Sequence, residues 1–222
     1  MAFELSAGGG DGSTSLFSET REIAGGIPSQ SFSDLPPPPF GHPPSARGER
    51  ASVTDLGEIR LALARRARAE SVAMLNRILA DTVTLRDLYK KQHWQTSGAT
   101  FYQLHLLFDT HHDEQEALID AIAERIQTLG GAAIAMAADV SETTALLRPP
   151  RDREEPARQL ARLADAHELV LYAVRSAARR ATALGDDGTN DLLVSEVIRT
   201  NEKQAWFVQE LLETNDVNAQ ER

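Results

Sequence analysis

Leu104-His105-Leu106-Leu107-Phe108-Asp109, followed by Leu118-Ile119-Asp120-Ala121-Ile122-Ala123-Glu124-Arg125, decides how this chain folds. Leu104, Phe108, Leu118, Ile122, Ile126 and Leu129 fall on one stripe at the three- and four-residue spacing of an amphipathic helix. Thr100 with Gln103 reads as a capping box at its start, and Gly130-Gly131 as its stop. The predicted helix covers about residues 100–129. Four potential metal ligands lie on it: His105, Asp109, Asp120 and Glu124. At about 100° per residue, Asp109 is about 40° round from His105, Asp120 about 60° and Glu124 about 100°, so all four share one face.

Working outward, the spacing predicts a helix over about 66–95, with Met74, Leu75, Ile78, Val83, Leu85 and Leu88 as its apolar positions, closed by a break at Ser97-Gly98. Residues 52–65 also carry a helical pattern, as a separate short helix or as an extension of that one. Residues 132–150 form a long connection with room for a short helix, ended by Pro149-Pro150. Two more helices follow, over about 153–184 ending at Gly185 and over about 189–214. No period-2 alternation competes. Short first and third links with a long middle crossover describe an all-α, ferritin-like four-helix bundle.

The composition is two compositions joined. The first 50 residues hold 8 of the 14 glycines and 7 of the 10 prolines, including the run Pro36 to Pro39, and contain no lysine. Such a segment buries too little to offset the entropy of ordering it, so 1–50 is expected to be a flexible extension with polyproline II character. The helical domain is then 51–215, with a short tail at 216–222. The whole chain is acidic, with 23 Lys+Arg against 33 Asp+Glu, formally −10. With no cysteine, thiolate zinc sites, iron–sulfur clusters, disulfides and cysteine nucleophiles are excluded, and a metal must be held by His, Asp and Glu. No apolar run reaches the roughly 18 residues of a membrane span, and the first residues lack the basic leader and apolar core of a secretory signal. The expected location is the cytoplasm, with nucleoid association not favoured.

His105 with Asp109 and Asp120 with Glu124 are each i, i+4 pairs able to share a metal. The two pairs cannot share one within a straight helix, because Asp109 and Asp120 are 11 residues, about 16 Å, apart. Two copies of the helix packed antiparallel across a two-fold axis resolve this, bringing His105 and Asp109 of one chain to Asp120 and Glu124 of another and making two equivalent sites. His93, near the end of the preceding helix, can fold back beside His105. Two imidazoles and three carboxylates suit iron(II), and also Zn, Mn or Co. Taken alone, a helical carboxylate pair is more often a solvated face, and a single His more often a surface residue.

The stretch Lys91-Gln92-His93-Trp94-Gln95-Thr96-Ser97-Gly98 resembles the HWN-x-x-G motif of the Dps proteins, the mini-ferritins named as DNA-binding proteins from starved cells. The resemblance continues through Phe101 to Asp109, Leu118 to Arg125, Leu129-Gly130-Gly131, Gly185 to Leu193 and Asn201 to Phe207, covering roughly 66–214. The ligand spacings 12, 4, 11 and 4 match without a gap, and Gln95 stands where the family usually has Asn. The resemblance implies a hollow homo-dodecamer with a ferroxidase centre at each two-fold interface: His93, His105 and Asp109 from one subunit, Asp120 and Glu124 from its partner. It implies oxidation of Fe(II), preferably by hydrogen peroxide, with oxygen as the alternative oxidant, storage of ferric mineral inside the shell, and protection of DNA from oxidative damage. Zinc or manganese are alternative occupants, and a non-redox metal buffer or a nucleoid-compacting protein the alternative functions. Trp94 matches a family tryptophan able to intercept oxidising equivalents, although plain packing is the preferred reading. The Glu-x-x-His pairs of intra-bundle ferritin sites are absent from the sequence.

By the same resemblance Asp165 lines a three-fold pore, with Asp152, Glu154 and Glu155 as upstream additions or a solvated face. His111 and His112 read as surface histidines, with an outer-sphere role for His112 as the minor alternative. Asp34, His42 and Glu49 are a weak candidate for a further metal. The family's lysine-rich DNA-binding tail is missing. A dodecamer would carry about −120 from twelve copies of the formal charge. The clusters Arg60, Arg65, Arg66, Arg68 and Arg175, Arg179, Arg180 read as salt-bridge partners. DNA binding is expected to be weak or absent.

Overall fold

A computed structural model describes residues 56–220, and side chains to position 213. The expectations for residues 1–50, including Asp34, His42 and Glu49, lie outside the described residues. Within them the chain is all helix: α1 (Arg65–Gln95), α2 (Phe101–Thr128), the short α3 (Ala137–Thr143), α4 (Pro156–Leu184), α5 (Asp187–Leu192) and α6 (Arg199–Gln220), with a π-helical turn at Leu193–Ile198 joining α5 to α6. There is no strand among the described residues, and no helix there is long and apolar enough to cross a membrane.

The four-helix bundle is ferritin-like. α1 packs most extensively on α2, α4 on α6, and α1 on α4 joins the two hairpins. The predicted stripe of α2 is the buried one: Leu104, Phe108, Leu118, Ile122, Ile126 and Leu129 all meet Leu75, Ile78, Leu79, Leu85 and Leu88 of α1 in one core with Leu160, Leu163, Val170 and Val174 of α4. Fully burying each such side chain contributes about 1.5–3 kcal/mol, so the stripe outweighs the weak intrinsic helix propensities.

Helix ends follow local chemistry. After α2, Gly130 (φ +84°) turns the chain while its N–H bonds Gln127 O at 2.8 Å and that of Gly131 bonds Ile126 O at 3.0 Å. After α4, Gly185 (φ +71°) and Asp186 repeat the pattern on Thr182 O and Ala181 O. Both are Schellman closures, which need a residue tolerant of positive φ. Pro156 opens α4, where its missing N–H costs nothing. Asp186 caps α5, accepting from Thr189 N at 3.1 Å.

Three expectations are revised. Thr100 does precede α2, but its side chain makes no capping bond. Its backbone (φ −97°, ψ 13°) is not the extended conformation that points an N-cap hydroxyl at the first N–H groups. Residues 56–64 are not helical. Instead Gly57 N–H bonds Gly130 O at 2.9 Å, and Arg68 Nη1 donates to Gly57 O and Leu129 O at 3.2 and 3.1 Å, tying this segment to the end of α2. Leu56 is thereby buried in the core. The last helix starts two residues earlier than expected, contains the π turn, and continues to Gln220.

Candidate metal centre

The tight link from Thr96 to Thr100 folds α2 back along α1 and brings His93 beside His105. The rings stack, with centroids 3.7 Å apart and 23° between planes. Each Nδ1 reaches the other residue's backbone: His93 Nδ1 to His105 O at 2.8 Å, His105 Nδ1 to His93 O at 3.0 Å. A carbonyl oxygen only accepts, so each Nδ1 carries its proton and donates, and each Nε2 is left with a free lone pair. This is the arrangement by which outer hydrogen bonds orient a metal-binding imidazole and fix its tautomer. Phe101 lies against His105, with centroids 5.1 Å apart.

Asp109 lies one turn beyond His105, its Oδ1 3.7 Å from His93 Nδ1. Lys90 Nζ donates to the same oxygen at 2.6 Å. That hydrogen bond, with the charge of Lys90, holds the Asp109 carboxyl below the usual carboxylate range and keeps it ionised. Sequence reasoning missed Lys90. The signal was available: it lies one turn before His93 on α1, so a hairpin that sets His93 against His105 sets Lys90 against Asp109.

Asp120 and Glu124 are exposed, further along the same helix. The chain thus gathers His93, His105 and Asp109 and leaves the other two apart. Among the described residues no three His, Asp or Glu side chains form a metal-holding group within one chain. Hard oxygen and imidazole donors fit a first-row divalent ion, and the chain supplies two free Nε2 atoms and an ionised carboxylate towards one. Around this hairpin Trp94 (71% exposed), Phe101, Tyr102 (67%) and Leu106 present apolar surface to solvent. Trp94 therefore does not pack in its own subunit's core, against the preferred reading.

Asp165 is exposed on the rim of a groove of about 570 Å³ between α4 and α6, lined also by Glu168, Tyr172, Arg175 and Gln209. Glu154 is no free funnel residue: Arg162 holds it at 2.6 Å and depresses its pKa. Asp152 and Glu155 are exposed. Of the arginines, Arg66 and Arg180 pair with Glu70, Arg175 pairs with Glu202 at 2.5 Å, and Arg68 is buried on carbonyls. Those four are occupied within the fold, as salt-bridge or carbonyl partners.

A second polar group was not legible in the sequence. His111, expected at the surface, is buried, and burial drives its pKa down to about 4. His112 is half-buried and bonds Asp113 Oδ1 at 2.9 Å. Across the bundle, His167 is wholly buried with its pKa down to about 3, for the same cause first. Tyr89, Gln115, Asn201 and Gln204 join these two histidines in the core. Gln115 Nε2 donates to Asn201 Oδ1 at 3.2 Å and Gln204 Oε1 at 2.8 Å, and Gln204 Nε2 to Glu114 Oε2 at 2.8 Å, while Lys203 Nζ donates to Glu114 Oε1.

The family model of the ferritin-like domain matches residues 72–216. The chain is similar to the DNA protection during starvation protein of Agrobacterium fabrum, 31% identical over 143 residues, which are 64% of this chain and 88% of that protein. Among solved structures it resembles DpsC from Streptomyces coelicolor, 55% identical, covering 72% of this chain and 92% of that one with a TM-score of 0.71. It also resembles a Vibrio cholerae DPS protein described as a member of a broad superfamily of ferritin-like diiron-carboxylate proteins, 25% identical, covering 68% and 93% with a TM-score of 0.64.

Proposed function

Since the chain belongs to the ferritin-like family, in its Dps branch, we propose that it oxidises Fe(II) with hydrogen peroxide at centres shared between subunits and stores the ferric product in a hollow dodecamer. The observation that carries this reading is the reciprocal anchoring of His93 and His105. Both Nδ1 protons are committed to backbone carbonyls, so both Nε2 lone pairs are left free for a cation, and Asp109 Oδ1 lies 3.7 Å from His93 Nδ1. Rigid imidazoles cost little entropy on binding a cation, and carboxylate oxygens favour Fe(III) over Fe(II), which drives the oxidation.

Asp120 and Glu124 of the partner subunit complete the set in this reading. Its support is the helix arithmetic together with the exposed Trp94, Phe101, Tyr102 and Leu106, an apolar patch of the kind that marks an interface. Lys90 gives Asp109 a counter-charge while no cation is bound and yields the oxygen when one arrives. Asp165 and Glu168 make the groove mouth attractive to cations, in keeping with a pore role for Asp165. The extension, residues 1–50, is a separate segment, and zinc or manganese can take the same donors. Consuming Fe(II) and peroxide together protects DNA without binding it; the extension has no lysine, Arg66, Arg175 and Arg180 are paired with carboxylates, and the chain is formally −10, so the subunit has little to offer phosphate.

The test is peroxide-dependent Fe(II) oxidation by the assembled protein, compared with the variant His105→Ala/Asp109→Ala. The reading requires loss of the fast phase and of iron loading in the variant. Equal rates and equal loading defeat it.

A further inference from the structure

The crossover between α2 and α4 is held over α1 by two buried polar side chains. Asn76 donates from Nδ2 to Ala132 O at 3.0 Å, and its Oδ1 accepts from Ile134 N at 2.9 Å. Asp81 Oδ1 accepts from Ala145 N at 2.7 Å and from Thr144 Oγ1 at 2.8 Å. Both residues are buried, so water does not compete for these bonds. The short α3 sits between the two tethers. A cavity of about 410 Å³ lies between this arch and α1, within the range of about 300–1,000 Å³ typical of small-molecule sites.

The cavity is amphipathic. Leu88, Val140 and Leu146 line it and are all buried, so they form its floor. Its charged lining residues are Arg86, Asp87, Lys91 and Arg148. Arg86 and Asp87 cancel, paired at 2.8 Å, and Glu116 holds Arg86 from outside at 2.7 Å. Lys91 Nζ donates to the neutral Gln95 Oε1 at 2.6 Å and keeps its charge. Glu154, the acid that Lys91 acts on from outside the cavity, is itself held by Arg162. Arg148 is exposed and has no carboxylate partner among the described residues. Two cations without a matching acid in the lining thus stand over an apolar floor, in a chain whose formal charge is −10. No aromatic side chain lines the cavity, so nothing there favours a planar ring over a flexible chain. None of His93, His105, Asp109 and Asp165 takes part in it.

We propose that this cavity binds an aliphatic carboxylate of medium chain length, a fatty acid. The carboxylate lies at Lys91 and Arg148, where the guanidinium fork matches its two oxygens. The chain lies on Leu88, Val140 and Leu146, and each methylene buried there tightens binding about fourfold.

The experiment titrates decanoate, below its micelle concentration, into the assembled full-length protein by calorimetry, with octanoate and the uncharged decanol for comparison. The expected result is one saturable site per subunit, with octanoate, two methylenes shorter, about fifteenfold weaker. Lys91→Gln/Arg148→Gln should weaken decanoate about tenfold and leave decanol unchanged. Ala137→Phe and, separately, Ser141→Phe replace small exposed residues of the lining and should each abolish binding, with sizing and helix content as in the wild type. Absence of saturable decanoate binding by the wild type overturns the proposal. Binding that survives both blocking variants overturns it too, because the molecule then sits elsewhere. Equal affinities for decanoate and decanol overturn the carboxylate assignment and the proposal with it.

Discussion

Acid should loosen this subunit through its buried histidines before its carboxylates respond. His167 and His111 titrate near 3 and 4 in the fold, against 6.5 when unfolded. Below pH 6.5 the unfolded chain binds protons that the folded chain refuses, so stability is complete above 6.5 and declines as the pH falls towards the folded values. At pH 5, 1.5 units below the unfolded value, each histidine withdraws about 2 kcal/mol, from 1.36 kcal/mol per unit. The lowered carboxylates Asp109, Glu114, Glu154 and Asp186 act in the same direction, but only as the pH falls below their unfolded values near 4 to 4.5. Asp81, raised by burial, opposes them there. The window from pH 7 to 5 therefore isolates the histidines. His167→Gln removes one of the two while keeping polar atoms near Tyr89 and Asn201. Urea unfolding at fixed protein concentration, with sizing at each pH, should show the variant less stable at pH 7 by about 1–3 kcal/mol. Between pH 7 and 5 it should lose about 2 kcal/mol less than the wild type. Parallel stability profiles across that window would refute the buried, neutral assignment.

Three further outcomes follow from the geometry. Lys90→Met removes the cation that competes for Asp109 Oδ1, so zinc or cobalt titration by calorimetry should show binding tightened several-fold, and unchanged or weaker binding would count against the competition. Gly130→Ala places a Cβ 3.0 Å from Gly57 O at φ +84° and should cost about 1–2 kcal/mol from the left-handed conformation alone; a Tm equal to wild type would contradict the strained closure. A gel shift with purified full-length protein should show no DNA complex at physiological salt, and tight, salt-resistant retention would contradict the charge argument.

The local features were legible because they are written in consecutive residues. The stripe of α2, the Gly130 and Gly185 closures and the turn between α1 and α2 all depend on neighbours along the chain, and together they place His93, His105 and Asp109. What was missed depends on partners distant in sequence. Residues 56–64 carry a helical pattern, yet Arg68 and Gly130 claim their backbone groups. His111 reads as polar and exposed, yet it occupies a position on the buried stripe between Phe108 and Gln115. Tyr89, His167 and Asn201 lie on three different helices, and no motif joins them. Trp94 looked like core, but it is 71% exposed on its own chain.

The central claim is that each centre draws on two chains, and mixing subunits tests it most directly. His105→Ala/Asp109→Ala and Asp120→Ala/Glu124→Ala subunits should each be inactive alone. Dissociated, mixed in equal amounts and reassembled, half the two-fold pairs are mixed, and each of those regains one intact centre of its two. The account predicts recovery of about a quarter of the wild-type Fe(II) oxidation rate. No recovery after verified co-assembly would contradict it.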